Sequence, residues 1–278
     1  MSRWLLCGLL IWQPFSALAS TPELLLIIDD IGNNRTLGER AVALPGPLNL
    51  AFLPFTPHAV HLANEAASHG HGIMLHAPMA NEHGNRLGPG GLTPEMDRIT
   101  LQQTLADDIK AVPHVQGLNN HMGSLLTQKP EAMQWVMEVA RQQGLFFVDS
   151  LTSARSVALK KASEAGIPAL ERDVFLDNDT TEAALSRQYD KALRLAHKHG
   201  YAVLIGHPYP QTLDFLAREL PLLAQQGIRL NRIDLHLQER LWSRMASPEP
   251  PPMSRYLLNP LLPHSAQPAA QQPAVARP

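Results

Sequence analysis

The sequence predicts an α/β fold built on parallel strands: a distorted (β/α) barrel of about seven strands, with an open doubly wound sheet as second choice. Three observations predict it. Short apolar runs, beginning with Leu24-Leu25-Leu26-Ile27-Ile28, are continuous rather than alternating, as in strands buried on both faces. Amphipathic segments lie between these runs, several of them stopped by a glycine such as Gly70, Gly144, Gly166 or Gly200. The runs recur every ~25–40 residues, the length that a strand–helix–strand crossover needs.

In order, the first strand ends at Asp29-Asp30, with Gly32-Asn33-Asn34 marking a turn. Thr36 to Leu44 reads as a short helix closed by Pro45-Gly46-Pro47, and residues 48–55 as the second strand. A helix over 58–68 follows Pro57, then a third strand over 72–79 with His76 near its end. Residues 80–93 form the longest internal loop, and loops of that length are often functional. Thr100 with Gln103 suggests a capping box for the helix ending near Val112-Pro113. A fourth strand over 116–124, a helix over 130–143 and a fifth strand over 145–149 come next. A helix near 156–165 precedes a sixth strand within 167–176, and Asp179 with Glu182 caps the long helix ending at Gly200. The seventh strand, 201–205, delivers Gly206-His207-Pro208. The helix over 212–226 should break at Pro221, and 228–233 adds a last strand.

The ends differ in kind. Residues 1–19 read as a signal peptide: Arg3, an apolar stretch from Trp4 to Trp12, and the small-x-small site Ala17-Leu18-Ala19. Cys7 follows bulky Leu6, so lipidation is not expected, and the apolar run is too short for a membrane anchor. The mature chain would start at Ser20 without cysteine and reside in the periplasm, relying on a core or a metal instead of disulfides. Residues 20–246 form the folded domain. Nine of the 24 prolines fall within 247–278, a composition that predicts a disordered tail. A net charge of −2 with no basic run gives no reason to expect nucleic acid.

Chemistry in parallel α/β folds collects where strands end. Those exits carry Asp29, Asp30, His76, His121, Asp149, Asp177 and His207. Asp with two His is a normal donor set for a divalent ion, and imidazole suits zinc. Neighbouring strand residues point to opposite faces, so Asp29 and Asp30 share a pocket only if the chain turns there. One could then bind metal while the other handles a proton. A glycosidase acid pair is the weaker alternative, since it needs carboxyl groups on opposite sides of a sugar. His58, His61, His69, His71, His83, His197, His199 and His264, in helices, loops or the tail, are assigned to solvated surfaces.

Several segments together resemble the divergent polysaccharide deacetylase family over about residues 24–235. They are Asp29-Asp30, His76 to Met79, Asn119-Asn120-His121-Met122-Gly123-Ser124, Asp149-Ser150 with Thr152, Val174 to Asp177, and Ile205 to Pro208. The resemblance implies a distorted β/α barrel with a divalent metal, usually zinc, with Asp29 as base, Asp30 as metal ligand and His207 as acid. The main deacetylase family has a second ligand histidine shortly after the first. This chain has Met79 near that place, and His121 is inferred as the replacement ligand. Asn119, Asn120, Ser124, Asp149, Ser150 and Asp177 are expected to bind substrate or support the site.

Three functions follow as expectations. The first is a metal-dependent hydrolase removing N- or O-acetyl groups from a cell-envelope polysaccharide. The second is a non-catalytic envelope protein that binds a glycan or protein partner through the same pocket. The third is a metal-dependent hydrolase acting on another bond, since fold does not fix function.

Overall fold

A computed structural model describes residues 21–246. The expected signal peptide, Cys7, His264 and the proline-rich tail lie outside the described residues.

Eight parallel strands form one sheet in the order β6-β5-β4-β3-β2-β1-β8-β7. They are β1 (Glu23–Ile31), β2 (Asn49–Phe52), β3 (Gly72–Met79), β4 (Gly117–Met122), β5 (Phe146–Asp149), β6 (Ala169–Glu171), β7 (Val174–Phe175) and β8 (Tyr201–Gly206). β9 (Arg229–Leu230) pairs with the start of β1. β6 and β7 stand at opposite ends of that order, yet only Arg172 and Asp173 separate them in the chain. The sheet must therefore curl until its edges meet, which makes it a barrel with one unpaired seam. The expected single strand over 167–176 is in fact these two strands, one on each side of the seam.

Alternate residues face two cores. Leu24, Leu26 and Ile28 join the layer between sheet and helices, with Leu50, Leu75 and Leu118. Leu25 and Ile27 face the barrel interior with Ala51, Met74, Val148, Val203 and Ile205. Burial on both faces explains the unbroken apolar run, each such side chain contributing ~1.5–3 kcal/mol.

Helices α1 (Arg35–Val42), α2 (Ala59–Ser68), α3 (Arg98–Ala111), α4 (Pro130–Gln142), α5 (Ala158–Ala165), α6 (Glu182–His199) and α7 (Pro210–Glu219) carry the crossovers. Their caps correct two expectations. Asp97, rather than Thr100, caps α3, its Oδ1 accepting the Thr100 N–H at 2.8 Å. Thr181 stands at the N-cap of α6, and Asp179 accepts the Thr181 N–H instead of capping the helix. Near Pro221 α7 gives way to a 3-10 turn over Leu220–Gln226. Helix α8 (Ile233–Ala246), not expected from the sequence, closes the N-terminal end of the barrel with Ile233 and Leu237. His71 is also corrected: it is buried, its Nε2 donating to the Val42 carbonyl and its Nδ1 accepting the Leu48 N–H.

Candidate metal centre

Strand parity decides which exit residues meet. Asp29 continues the inward set Leu25–Ile27, His76 follows inward Met74, and His207 follows inward Val203 and Ile205. Asn119 and His121 alternate with outward Leu118. All five therefore reach the inside of the C-terminal rim. Asp149 has the outward parity of Phe147, and Asn120 that of Leu118.

Asp30 breaks parity. The β1–β2 register slips between Ile28 and Ile31, and Asp30 has φ 58°, the left-handed geometry of a β-bulge. The sequence suggested a turn at Gly32-Asn33-Asn34. The residue that turns is Asp30 itself, which brings its carboxylate into the pocket beside Asp29. Phe55, Met122 and Leu151 also have positive φ, each at or just beyond a strand exit on this rim. Strain of this kind costs of order 1–3 kcal/mol per residue and gathers at functional sites.

Three donor atoms converge. His121 Nδ1 lies 2.9 Å from Asp30 Oδ1, His76 Nε2 lies 3.2 Å from the same oxygen, and the two nitrogens are 3.2 Å apart. Ligands ~2.0–2.1 Å from one tetrahedral metal would be separated by ~3.3 Å, close to this triangle. Asp30 Oδ1 is buried, and neither contact has hydrogen-bond geometry, so its lone pairs remain unused. On these grounds the donor set fits a divalent ion. His76 is prepared for that role. Its Nδ1–H donates to Asn119 Oδ1 at 2.9 Å, leaving the Nε2 lone pair free.

The surrounding groups sort by role. Asn119 also donates to Asp29 Oδ1 at 2.8 Å and to Ser150 Oγ at 3.3 Å, joining the metal-side histidine to the second carboxylate. Burial pushes the Asp29 carboxyl up, against the charges of His76 and His207 and the Asn119 bond. Burial also acts to raise Asp30, but the contacts and charges of His121 and His76 outweigh it and hold that carboxyl well below the usual range. His207 Nδ1–H donates to Asp177 Oδ1 at 3.0 Å, which leaves Nε2 4.0 Å from Asp30 Oδ2. Burial alone would lower His207, yet Asp177, Asp29 and Asp30 push it up to about 9. Asp177 is anchored in turn by the His207 N–H and the Thr212 hydroxyl.

Other exit residues build the frame. Asn120 accepts the Ser150 N–H and donates to the Met122 carbonyl, Asp149 accepts from Leu151 N–H and the Ser156 hydroxyl, and Ser124 accepts the Glu82 N–H of the long loop. Sequence reasoning missed Arg172, which donates to the Ser150 and Leu151 carbonyls and so holds the strained exit of β5. Its position in the seam between β6 and β7 was concealed by reading those strands as one. An apolar cavity of about 540 Å³ lies at the other end of the barrel, lined by Val115, Phe146, Leu237 and Leu241. Among the described residues it gathers no comparable set of titratable groups.

Fold and rim together define a (β/α) barrel with a candidate metal centre of two histidines and one aspartate at the ends of its strands. The sequence profile of the divergent polysaccharide deacetylases matches residues 26–235, and the chain belongs to that family. It is 34% identical over 194 residues to the uncharacterized protein YibQ of Escherichia coli (strain K12), covering 70% of this chain. That match spans only 61% of the E. coli protein. It is 36% identical over 202 residues to an uncharacterized protein of Haemophilus influenzae, covering 72% of each. The crystal structure of protein ATU2773 from Agrobacterium tumefaciens C58, also uncharacterized, superposes with a TM-score of 0.75 at 22% identity. The superposition covers 80% of this chain and 92% of that one, and it shows a shared fold.

Proposed function

We propose that this protein is a metal-dependent hydrolase removing N- or O-acetyl groups from a cell-envelope polysaccharide. The observation that carries the proposal is the triangle of Asp30 Oδ1, His76 Nε2 and His121 Nδ1, set beside Asp29 on one side and His207 on the other. Asp30, His76 and His121 would hold the ion, with zinc the best match to the donor set. Such an ion supplies a Lewis acid that polarises an acyl carbonyl and makes water easier to deprotonate.

The chain's own residues do the rest. Asp29, buried and raised by burial, is the base that takes the proton of the attacking water. Asn119 holds Asp29 Oδ1 and so fixes the carboxylate's direction. Asp177, Asp29 and Asp30 push His207 up to about 9, and Asp177 on Nδ1 leaves Nε2–H to protonate the departing nitrogen or oxygen. Positioned proton transfer of this sort is typically worth ~10²–10⁴ in rate. Export to the periplasm, proposed from residues 1–19, would bring the site to its polymer.

The test is metal analysis of purified protein coupled to acetate release from peptidoglycan and chitin fragments. About one equivalent of bound divalent metal and acetate release abolished by a chelator are expected. A metal-loaded protein that releases no acetate would favour the non-catalytic reading. His207→Ala should keep the metal and slow poor leaving groups more than good ones.

A further inference from the structure

Two exposed aromatic side chains flank the candidate metal centre. Phe55 follows β2 and Tyr209 follows β8, and these strands pair with β1 on its two sides. The two residues therefore stand on loops at opposite sides of the strand that carries Asp29 and Asp30. Phe55 is 53% exposed and Tyr209 45%. The other exposed large apolar side chains among the described residues are aliphatic (Val60 and Ile99 in the first turns of α2 and α3, Leu222 and Leu235) or, for Trp242, lie on α8 at the opposite end of the barrel.

Phe55 is held there at a cost. Its φ is 57°, a conformation that bulky residues rarely adopt and that glycine or asparagine would take more easily. An exposed ring gains little burial to offset that strain. The loop around it is tightly fixed, with Leu53 N–H on the Ile31 carbonyl and His58 N–H on the Gly32 carbonyl, both at 3.0 Å. A Cβ on Gly32 would fall 2.0 Å from Thr56 Oγ1, so the two segments are packed without slack. Tyr209 is fixed differently. It lies between Pro208 and Pro210, where backbone choice is restricted, and its ring centroid is 5.6 Å from that of His207.

We propose that Phe55 and Tyr209 are stacking platforms that hold a glycan chain across the metal centre, each against the C–H face of a pyranose ring. The inference rests on the reading of this rim as a polysaccharide site and adds how the polymer is gripped. A pyranose has an apolar face and a hydroxyl edge, which suits a rigid aromatic surface with polar groups close by. β2 and β8 are two strand spacings apart, ~10 Å, a span suited to an oligosaccharide running over β1 rather than to one sugar. Rigid presentation lowers the ordering cost of binding, which gives the strain at Phe55 a use.

The test uses the full-length, zinc-loaded protein with Asp29→Asn as the parent, so that turnover does not consume the probe. Penta-N-acetylchitopentaose and monomeric N-acetylglucosamine are titrated calorimetrically. Phe55→Ala and Tyr209→Ala should each weaken the pentasaccharide about tenfold, with zinc content unchanged and with smaller effects on the monomer. Phe55→Tyr should restore binding. Phe55→Gly should raise the melting temperature by removing the strain while losing the pentasaccharide as Phe55→Ala does. If both alanine variants bind the pentasaccharide as the parent does, the platforms are refuted and the deacetylase reading stands. A fall in melting temperature for Phe55→Gly would make Phe55 a structural residue and overturn its role. If the zinc-loaded parent binds neither sugar, the polysaccharide reading fails, and this inference with it.

Discussion

At the N-terminal end of the barrel Glu23 is buried beside His236, and at the C-terminal rim Asp30 lies between His76 and His121. The residue types are alike and the construction is opposite. Glu23 Oε1 accepts from Arg229 and from Asn231 Nδ2, and Oε2 takes the His236 contact, so both oxygens are in use. His236 packs its ring on Tyr201, with centroids 4.5 Å apart, on the helix that closes the barrel. Asp30 Oδ1, by contrast, is buried with no hydrogen bond, on a residue forced to positive φ. A buried carboxylate with both oxygens bonded is a staple. One whose lone pair is left open toward two imidazoles is fitted for an ion. Asp108 on α3 is a third case: fully buried, neither oxygen hydrogen-bonded, and pressed on Gly90, where a Cβ would fall 2.0 Å from Oδ1. It is no ligand, and its answer to burial is to keep its proton, the carboxyl being pushed up to about 8 by desolvation and by Asp107.

This comparison can be broken by experiment. The largest effect should come from Glu23→Ala, which strands the buried His236 Nδ1 and Asn231 Nδ2 and should cost ~3–5 kcal/mol of stability in urea unfolding. Asp30→Asn in metal-free protein should cost far less, and an equal loss at both ends would erase the distinction. Asp29→Asn should lower acetate release by ~10²-fold or more while metal content and fold are kept. Asn119→Ala should weaken metal affinity by ~10–100-fold in competition with a chelating indicator, since it frees the His76 ring and Asp29 together. Asp108→Asn acts on a pH slope, leaving the fold and the metal centre as they are. A carboxyl raised in the folded state stabilises most below the unfolded value and loses that contribution as pH climbs toward the folded one. Stability should therefore fall between about pH 4 and 8, by at most ~1.4 kcal/mol per pH unit from this residue. Asp108→Asn should flatten that slope in melts taken across the range. An unchanged slope would place the titration elsewhere.

Much of this arrangement was legible in local pattern. Continuous apolar runs located the strands, because a parallel strand covered on both faces has no polar side to show. Their exits located Asp29, Asp30, His76, His121 and His207, and the period of two along each strand could have separated inward His121 from outward Asn120 and Asp149. Errors arose where a few residues had two uses. Residues 167–176 looked like one strand but supply both edges of the seam, and Arg172 was overlooked between them. His71 looked like a loop histidine, although its ring joins the Val42 carbonyl to the Leu48 N–H inside the protein.

The sequence by itself determined the parallel α/β class, the strand exits and the family, since each is written in neighbouring residues through period, spacing and motif. Only the tertiary structure decided how those residues face one another. It put a left-handed turn at Asp30, brought His76 and His121 from strands 45 residues apart onto one oxygen, and tied Glu23 to His236 across 213 residues. The physical reason is that a lone pair is used or left open by whatever packing delivers to it. Contacts between distant segments are set by the register and curl of the whole sheet, which no local stretch of the chain encodes.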